Sequence, residues 1–160
     1  MSFIKVIRLL FVSSILLANS AYASASSLEI KNAWSPDAPP VVKVMAGYMK
    51  IYNHSNKDIK IKSAKSNLFK YVEIHLSELK NGMMRMRKQE NLNIKAKSHV
   101  ELKPNGLHMM LIGKLKAIKT GSIIPVTLSF DNGETIQVKL KVKNNNRPQM
   151  KCGSGKCGSM

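Results

Sequence analysis

The stretch Val72–Lys88 reads VEIHLSELKNGMMRMRK. Apolar and polar residues alternate from Val72 through Ser77, the period-two signature of a strand with one buried face. A second short run, Met83–Lys88, follows after Asn81-Gly82. Asn-Gly favours a two-residue type I′ turn, because both central residues must take positive φ. A two-residue turn fixes the pairing of its flanks. Lys80 then faces Met83, Ser77 faces Met86, and His75 faces Lys88. Side chains two apart on a strand share a face, so His75 and Met86 become diagonal neighbours, with Met84 on the same side.

Outward from this hairpin the same texture continues. Alternating runs occur at Leu28–Ala33, Val44–Tyr52, Ile59–Ser63, Val100–Leu102, His108–Ile112, Ile123–Phe130 and Thr135–Val142, separated by Asn, Gly, Pro and Lys. No segment carries a helical period. Asn132-Gly133 marks a second hairpin. Short strands at regular spacing with turns between them predict an all-β fold, an immunoglobulin-like Greek-key β-sandwich.

The first residues belong to another layer of organisation. Lys5 and Arg8 precede an apolar run from Leu9 to Ala18, which ends near the small-x-small site Ala21-Tyr22-Ala23. That pattern predicts a signal peptide over 1–23, cleaved after Ala23. The run is shorter than the roughly 18 residues a spanning helix needs, and no cysteine follows the site to accept a lipid. Residues 24–143 then form one domain. Residues 144–160 are nearly free of apolar content and read as a flexible tail.

With 26 basic and nine acidic residues the chain carries a formal charge of +17. Such a balance invites a nucleic-acid reading. Two features argue against it: the lysines are scattered along the chain, and an exported protein does not meet nucleic acid. The charge reads either as a solvated surface or as a means of steering toward an anionic membrane or an acidic partner.

Ten methionines occur in the chain, and five of them, Met83, Met84, Met86, Met109 and Met110, fall close together, with His75, His99 and His108 among or beside them. Core filling is the common role of a single methionine. Position argues for more here. His108 and Met110 share one face of their strand, while Met109 takes the other. Two histidines and two methionines from two places in the sheet give a set of neutral nitrogen and soft sulfur donors. Thioether sulfur selects Cu(I), and imidazole accepts copper in either oxidation state, so Cu(II) is a second candidate cargo.

The spacing of these four residues, His75, ten residues, Met86, twenty-one residues, His108, one residue, Met110, resembles the H-x10-M-x21-H-x-M signature of the PCuAC periplasmic copper chaperones. The resemblance extends from NAWSPDAPP and MAGYMKIYN through VEIH, NGMMRMR and ELKPNGLHMML to PVTLSFDNGETIQVKLKV. It implies a cupredoxin-like sandwich and a periplasmic protein without turnover chemistry. His75, Met86, His108 and Met110 would hold Cu(I). The cargo would pass to the CuA-bearing subunit of cytochrome c oxidase or another copper acceptor. Where members of the family often have Arg after the Ala-Trp pair, this chain has Ser35.

Other candidates are weighed the same way. His54 and His99 lack a soft ligand nearby and read as surface residues. Trp34, Met45 and Met49 read as core. Cys152 and Cys157, spaced as C-G-S-G-K-C in the tail, allow a disulfide loop, an accessory copper site with Met150 or Met160, or a reducing dithiol. Met84 is a further accessory ligand. No Ser-His-Asp set, carboxylate pair or phosphate loop is evident, which points away from an enzyme. A blue-copper centre needs a cysteine that the domain lacks. The competing reading is copper sequestration or resistance, using the same site plus the tail. Either role is expected of a monomer.

Overall fold

The structure, a computed structural model, describes residues 26–144. All regular structure among them is strand: β1 (Leu28–Pro36), β2 (Val44–Asn53), β3 (Ile59–Lys65), β4 (Phe69–Lys80), β5 (Met83–Lys88), β6 (Leu92–Ile94), β7 (His99–Leu102), β8 (Leu107–Lys114), β9 (Ile123–Phe130) and β10 (Thr135–Lys143). The strands run in the order β5-β4-β8-β2-β1-β10-β9-β3-β6, with β7 also on β2. The layer around β4, β8 and β2 packs on the layer around β10, β9 and β3, which is the expected Greek-key β-sandwich.

Alternation in sequence becomes burial. Met45, Met49 and Ile51 of β2 meet Ile124, Val126 and Leu128 of β9 and Val138, Leu140 and Val142 of β10 in one core. Each such side chain contributes roughly 1.5–3 kcal/mol when fully buried. Gly47 is inward-facing on β2, where a Cβ would stand 3.1 Å from Leu140 and 3.3 Å from Met109. The two layers approach closely there, so a Cβ would require Leu140 or Met109 to shift by a few tenths of an ångström.

Two bulged strands join the layers. β1 pairs with β2 from Leu28 to Lys31, shifts register before Trp34, and then runs parallel to β10 from Trp34 to Pro36. β3 pairs with β9, and its Ala64 also meets Val72 of β4, closing the circuit of strands. The β1 bulge holds Asn32 at φ 53° and reverses which residues face inward. Trp34 is therefore not a core residue. It turns to the outer face and packs on Tyr48 at 4.9 Å between ring centroids, with Lys143 Nζ 5.5 Å from the ring centroid.

Both Asn-Gly hairpins form. In the first, Asn81 and Gly82 take φ of 53° and 75°, as a type I′ turn demands. The second is one residue wider: Gly133 N–H donates to Phe130 O and Phe130 N–H to Glu134 O, with Gly133 at φ 86°. That is a type I turn with a glycine bulge. The sequence reading missed β6, whose three residues pair with β3 and bury Ile94 completely. Buried Asn53 ties this strand down, donating through Nδ2 to Ile94 O at 3.0 Å and Lys57 O at 2.8 Å. The expected signal peptide and the cysteine tail lie outside the described residues.

At the start of β1, Glu134 gathers Ser26 Oγ at 2.8 Å, Ser27 Oγ, Ser27 N–H at 3.3 Å and Asn132 Nδ2 at 2.9 Å. Burial pushes the Glu134 carboxyl up, but these donors outweigh it and hold it below the usual range. A depressed carboxyl adds stability above its unfolded pKa, and that stability is lost as pH falls through the folded value. Glu134→Ala should cost about 1–2 kcal/mol at pH 7. Urea denaturation of both proteins should show the difference shrinking below about pH 4.5.

Candidate metal centre

The β4–β5 ladder has the register expected from the turn: Lys80 with Met83, Ser77 with Met86 and His75 with Lys88. On its other side β4 pairs with β8, and there His75 stands directly opposite His108, with Glu73 opposite Met110. Directly opposed residues share a face. His75, Met86, His108 and Met110 thus lie on one outer face of three adjacent strands. Their inward-facing neighbours Ile74, Met109 and Leu111 belong to the core.

The two imidazoles come together, with ring centroids 6.2 Å apart and planes inclined at 41°. His108 is buried, at 7% exposure, despite facing outward, and Met110 beside it is half-buried. Met86 stands apart in character. It lies on the free edge strand β5, where Met83, Met84 and Met86 are 58%, 60% and 57% exposed. Beyond Leu76 the β4 strand has no β8 partner, so the tip of the β4–β5 ribbon projects past the sandwich. Met84, opposite Leu79, continues the apolar face of the ribbon.

A four-residue excursion positions His108. β7 and β8 pair in succession with β2, and Lys103–Gly106 bulges out between them. Lys103 N–H donates to Leu107 O at 2.6 Å and Gly106 N–H to Lys103 O at 3.4 Å, which pinches the loop shut. Gly106 O in turn accepts from His108 Nδ1 at 2.9 Å. A carbonyl can only accept, so Nδ1 carries the proton and Nε2 is left with the lone pair.

Sequence reasoning overlooked Glu73. Its Oε2 accepts from His75 Nε2 at 2.9 Å and its Oε1 lies 3.0 Å from Lys88 Nζ. The His75 ring first, then the Lys88 ammonium, hold its carboxyl below the usual range, against a smaller effect of burial. The signal was present as Glu-x-His, a spacing that puts both side chains on one strand face.

The other histidines are elsewhere. His54 Nε2 pairs with Glu29 at 3.0 Å, and His99 stacks on Tyr52 at 5.1 Å between ring centroids. Both are surface residues, as expected. Among the described residues no group of three His, Cys, Asp or Glu converges as a metal cage. The cluster is two imidazoles with Met86 and Met110 on the same face of the sheet. Met45, Met49 and Met109 are core residues, at 4%, 1% and 0% exposure. Cys152 and Cys157 lie outside the described residues.

The fold defines a class, a small cupredoxin-like sandwich of the kind seen in PCuAC domains. The copper-bound PCuAC domain from PmoF2 superposes with a TM-score of 0.64 at 18% identity, covering 76% of this chain and 96% of that domain. The Cu(I) form of DR1885 from Deinococcus radiodurans matches at 29% identity and TM-score 0.63, over 81% of this chain and 87% of that one. By sequence, the chain belongs to the LpqE-like family, matched over residues 28–142. A protein of Leifsonia xyli subsp. xyli bearing the name lipoprotein Lxx21020 is 29% identical over 121 residues, 75% of this chain and 72% of its own length.

The two adjacent methionines of β8 should separate cleanly by substitution. Met109→Ala opens a void in the core and should cost about 2–5 kcal/mol. Met110→Ala, on the half-buried outer face, should cost well under half of that. Urea denaturation of the metal-free variants measures both.

Proposed function

We propose that this protein is an exported carrier of Cu(I), held by His75, Met86, His108 and Met110, that delivers it to the CuA-bearing subunit of cytochrome c oxidase. The observation that carries this reading is the pairing of His75 with His108 on one face, with Met110 and Met86 flanking them on either side. Support also comes from relatives of the same fold whose names state bound copper, one of them Cu(I). The lipoprotein names of the family and of its Leifsonia relative support an exported, envelope-associated protein. On this reading residues 1–23 are removed and 144–160 form an appendage to the copper domain.

The donor set suits a carrier. Thioethers do not ionise and imidazole binds metal in its neutral form, so loading needs no thiol deprotonation. Soft neutral donors favour Cu(I) over Cu(II), zinc and other harder ions. They also leave the charge of the ion uncompensated by any ligand. An acceptor that offers thiolates, as a CuA centre does, then draws the ion away. No step in this transfer makes or breaks a covalent bond of a substrate, so the protein acts as a carrier and not as an enzyme.

An anaerobic Cu(I) titration of residues 24–160 against a chromophoric chelator tests the reading. It should show one tight equivalent. That equivalent should survive removal of the chain beyond Asn146, and His108→Ala should weaken it by more than about a hundredfold. Copper held only when the cysteine tail is present would instead favour sequestration. No copper binding would return the four side chains to packing and surface roles.

A further inference from the structure

Glu73 borders the cluster, beside His75 and opposite Met110, without being one of its four proposed ligands. The register sets it directly across from Met110 on β8, and it shares a face of β4 with His75. One carboxylate oxygen accepts a hydrogen bond from His75 Nε2–H at 2.9 Å, and the other lies 3.0 Å from Lys88 Nζ. Lys88 is itself the β5 partner of His75. Ring, carboxylate and ammonium thus form one chain of contacts over two paired strands. The side chains of His75 and Glu73 are only 16% and 26% exposed, so the contact is sheltered more than a surface pair would be.

We propose that Glu73 is a positioning residue for the copper site. By accepting the hydrogen bond from Nε2–H it fixes His75 in the tautomer whose lone pair is on Nδ1. His75 therefore meets Cu(I) through Nδ1, while His108, whose Nδ1 proton is held by Gly106 O, meets it through Nε2. The inference rests on the reading of both histidines as ligands. An imidazole bound to metal through one nitrogen commonly donates its other N–H to a carboxylate or carbonyl, which sets both tautomer and ring orientation. Here the fold supplies one acceptor of each kind.

Lys88 completes the device. A carboxylate beside a copper site could swing in as a hard oxygen ligand and shift the preference away from Cu(I). With one oxygen committed to the His75 ring and the other to the Lys88 ammonium, Glu73 is kept in the outer shell. Its charge still lies beside the ion, where neutral ligands offer none. Removing Lys88 frees one oxygen, and Lys88→Met should therefore raise the affinity for Cu(II) relative to Cu(I).

Long-range proton–nitrogen NMR of the His75 ring in 15N-labelled protein, residues 24–160, tests this directly. The proton is expected on Nε2 in the metal-free protein and still there after Cu(I) is added, with the Nδ1 resonance shifting. Glu73→Ala should mix the two tautomers and lower Cu(I) affinity about 10- to 100-fold. Glu73→Gln keeps an acceptor oxygen and should restore most of both. Copper on Nε2 of wild-type His75, or an unchanged tautomer and affinity in both Glu73 variants, overturns the proposal while the ligands stand. If Glu73→Ala does not fold, the wild-type assignment and Glu73→Gln still decide. A His75→Ala protein that binds Cu(I) as tightly as wild type overturns the ligand reading, and this proposal with it.

Discussion

The register of three strands, β5 on β4 and β4 on β8, is the constraint on which the rest depends. A slip of one residue in either ladder would send a whole strand's side chains to the opposite face. Two local devices pin it. The Asn81-Gly82 turn takes the positive φ values that allow only two residues between Lys80 and Met83. The Lys103–Gly106 excursion takes up the extra chain between β7 and β8, so that His108 arrives opposite His75. Neither device uses a proposed ligand. The face is set by backbone geometry before any metal is present.

The sandwich then sorts its methionines by strand parity and by position in the sheet. Met45, Met49 and Met109 point inward and fill the core as flexible apolar side chains. Met110, one residue from Met109, points outward beside His108. Met86 shares that face but stands on an edge strand with solvent around it. A site built this way is firm on the β4–β8 side and open on the β5 side. That asymmetry suits a carrier, whose acceptor must reach the ion, and the exposed apolar face of the ribbon lies where such an approach would occur.

Much of this was legible in the sequence because period-two alternation and Asn-Gly chemistry are local. Every pairing deduced from the first hairpin recurs in the ladder, and both strands of the second hairpin begin where the alternation begins. What was not legible depended on non-local geometry. Trp34 reads as core until the bulge at Asn32 turns it outward. β6 is too short to show a period and exists through its pairing with β3. The opposition of His75 and His108 could not be read from spacing, since β8 finds β4 only after the chain has crossed to the other layer and back. Glu73 was visible as Glu-x-His, but its significance came from the Nε2 contact and from Lys88.

On the proposed reading a soft metal is held by nitrogen and thioether donors gathered from β4, β5 and β8. X-ray absorption at the copper edge of the Cu(I)-loaded chain ending at Asn146 tests it most directly, because no cysteine remains in that chain to supply sulfur. The expected coordination is two nitrogen and two sulfur scatterers, with one sulfur lost in Met86→Ala and the other in Met110→Ala. A shell of nitrogen and oxygen alone, or one indifferent to both substitutions, would contradict it.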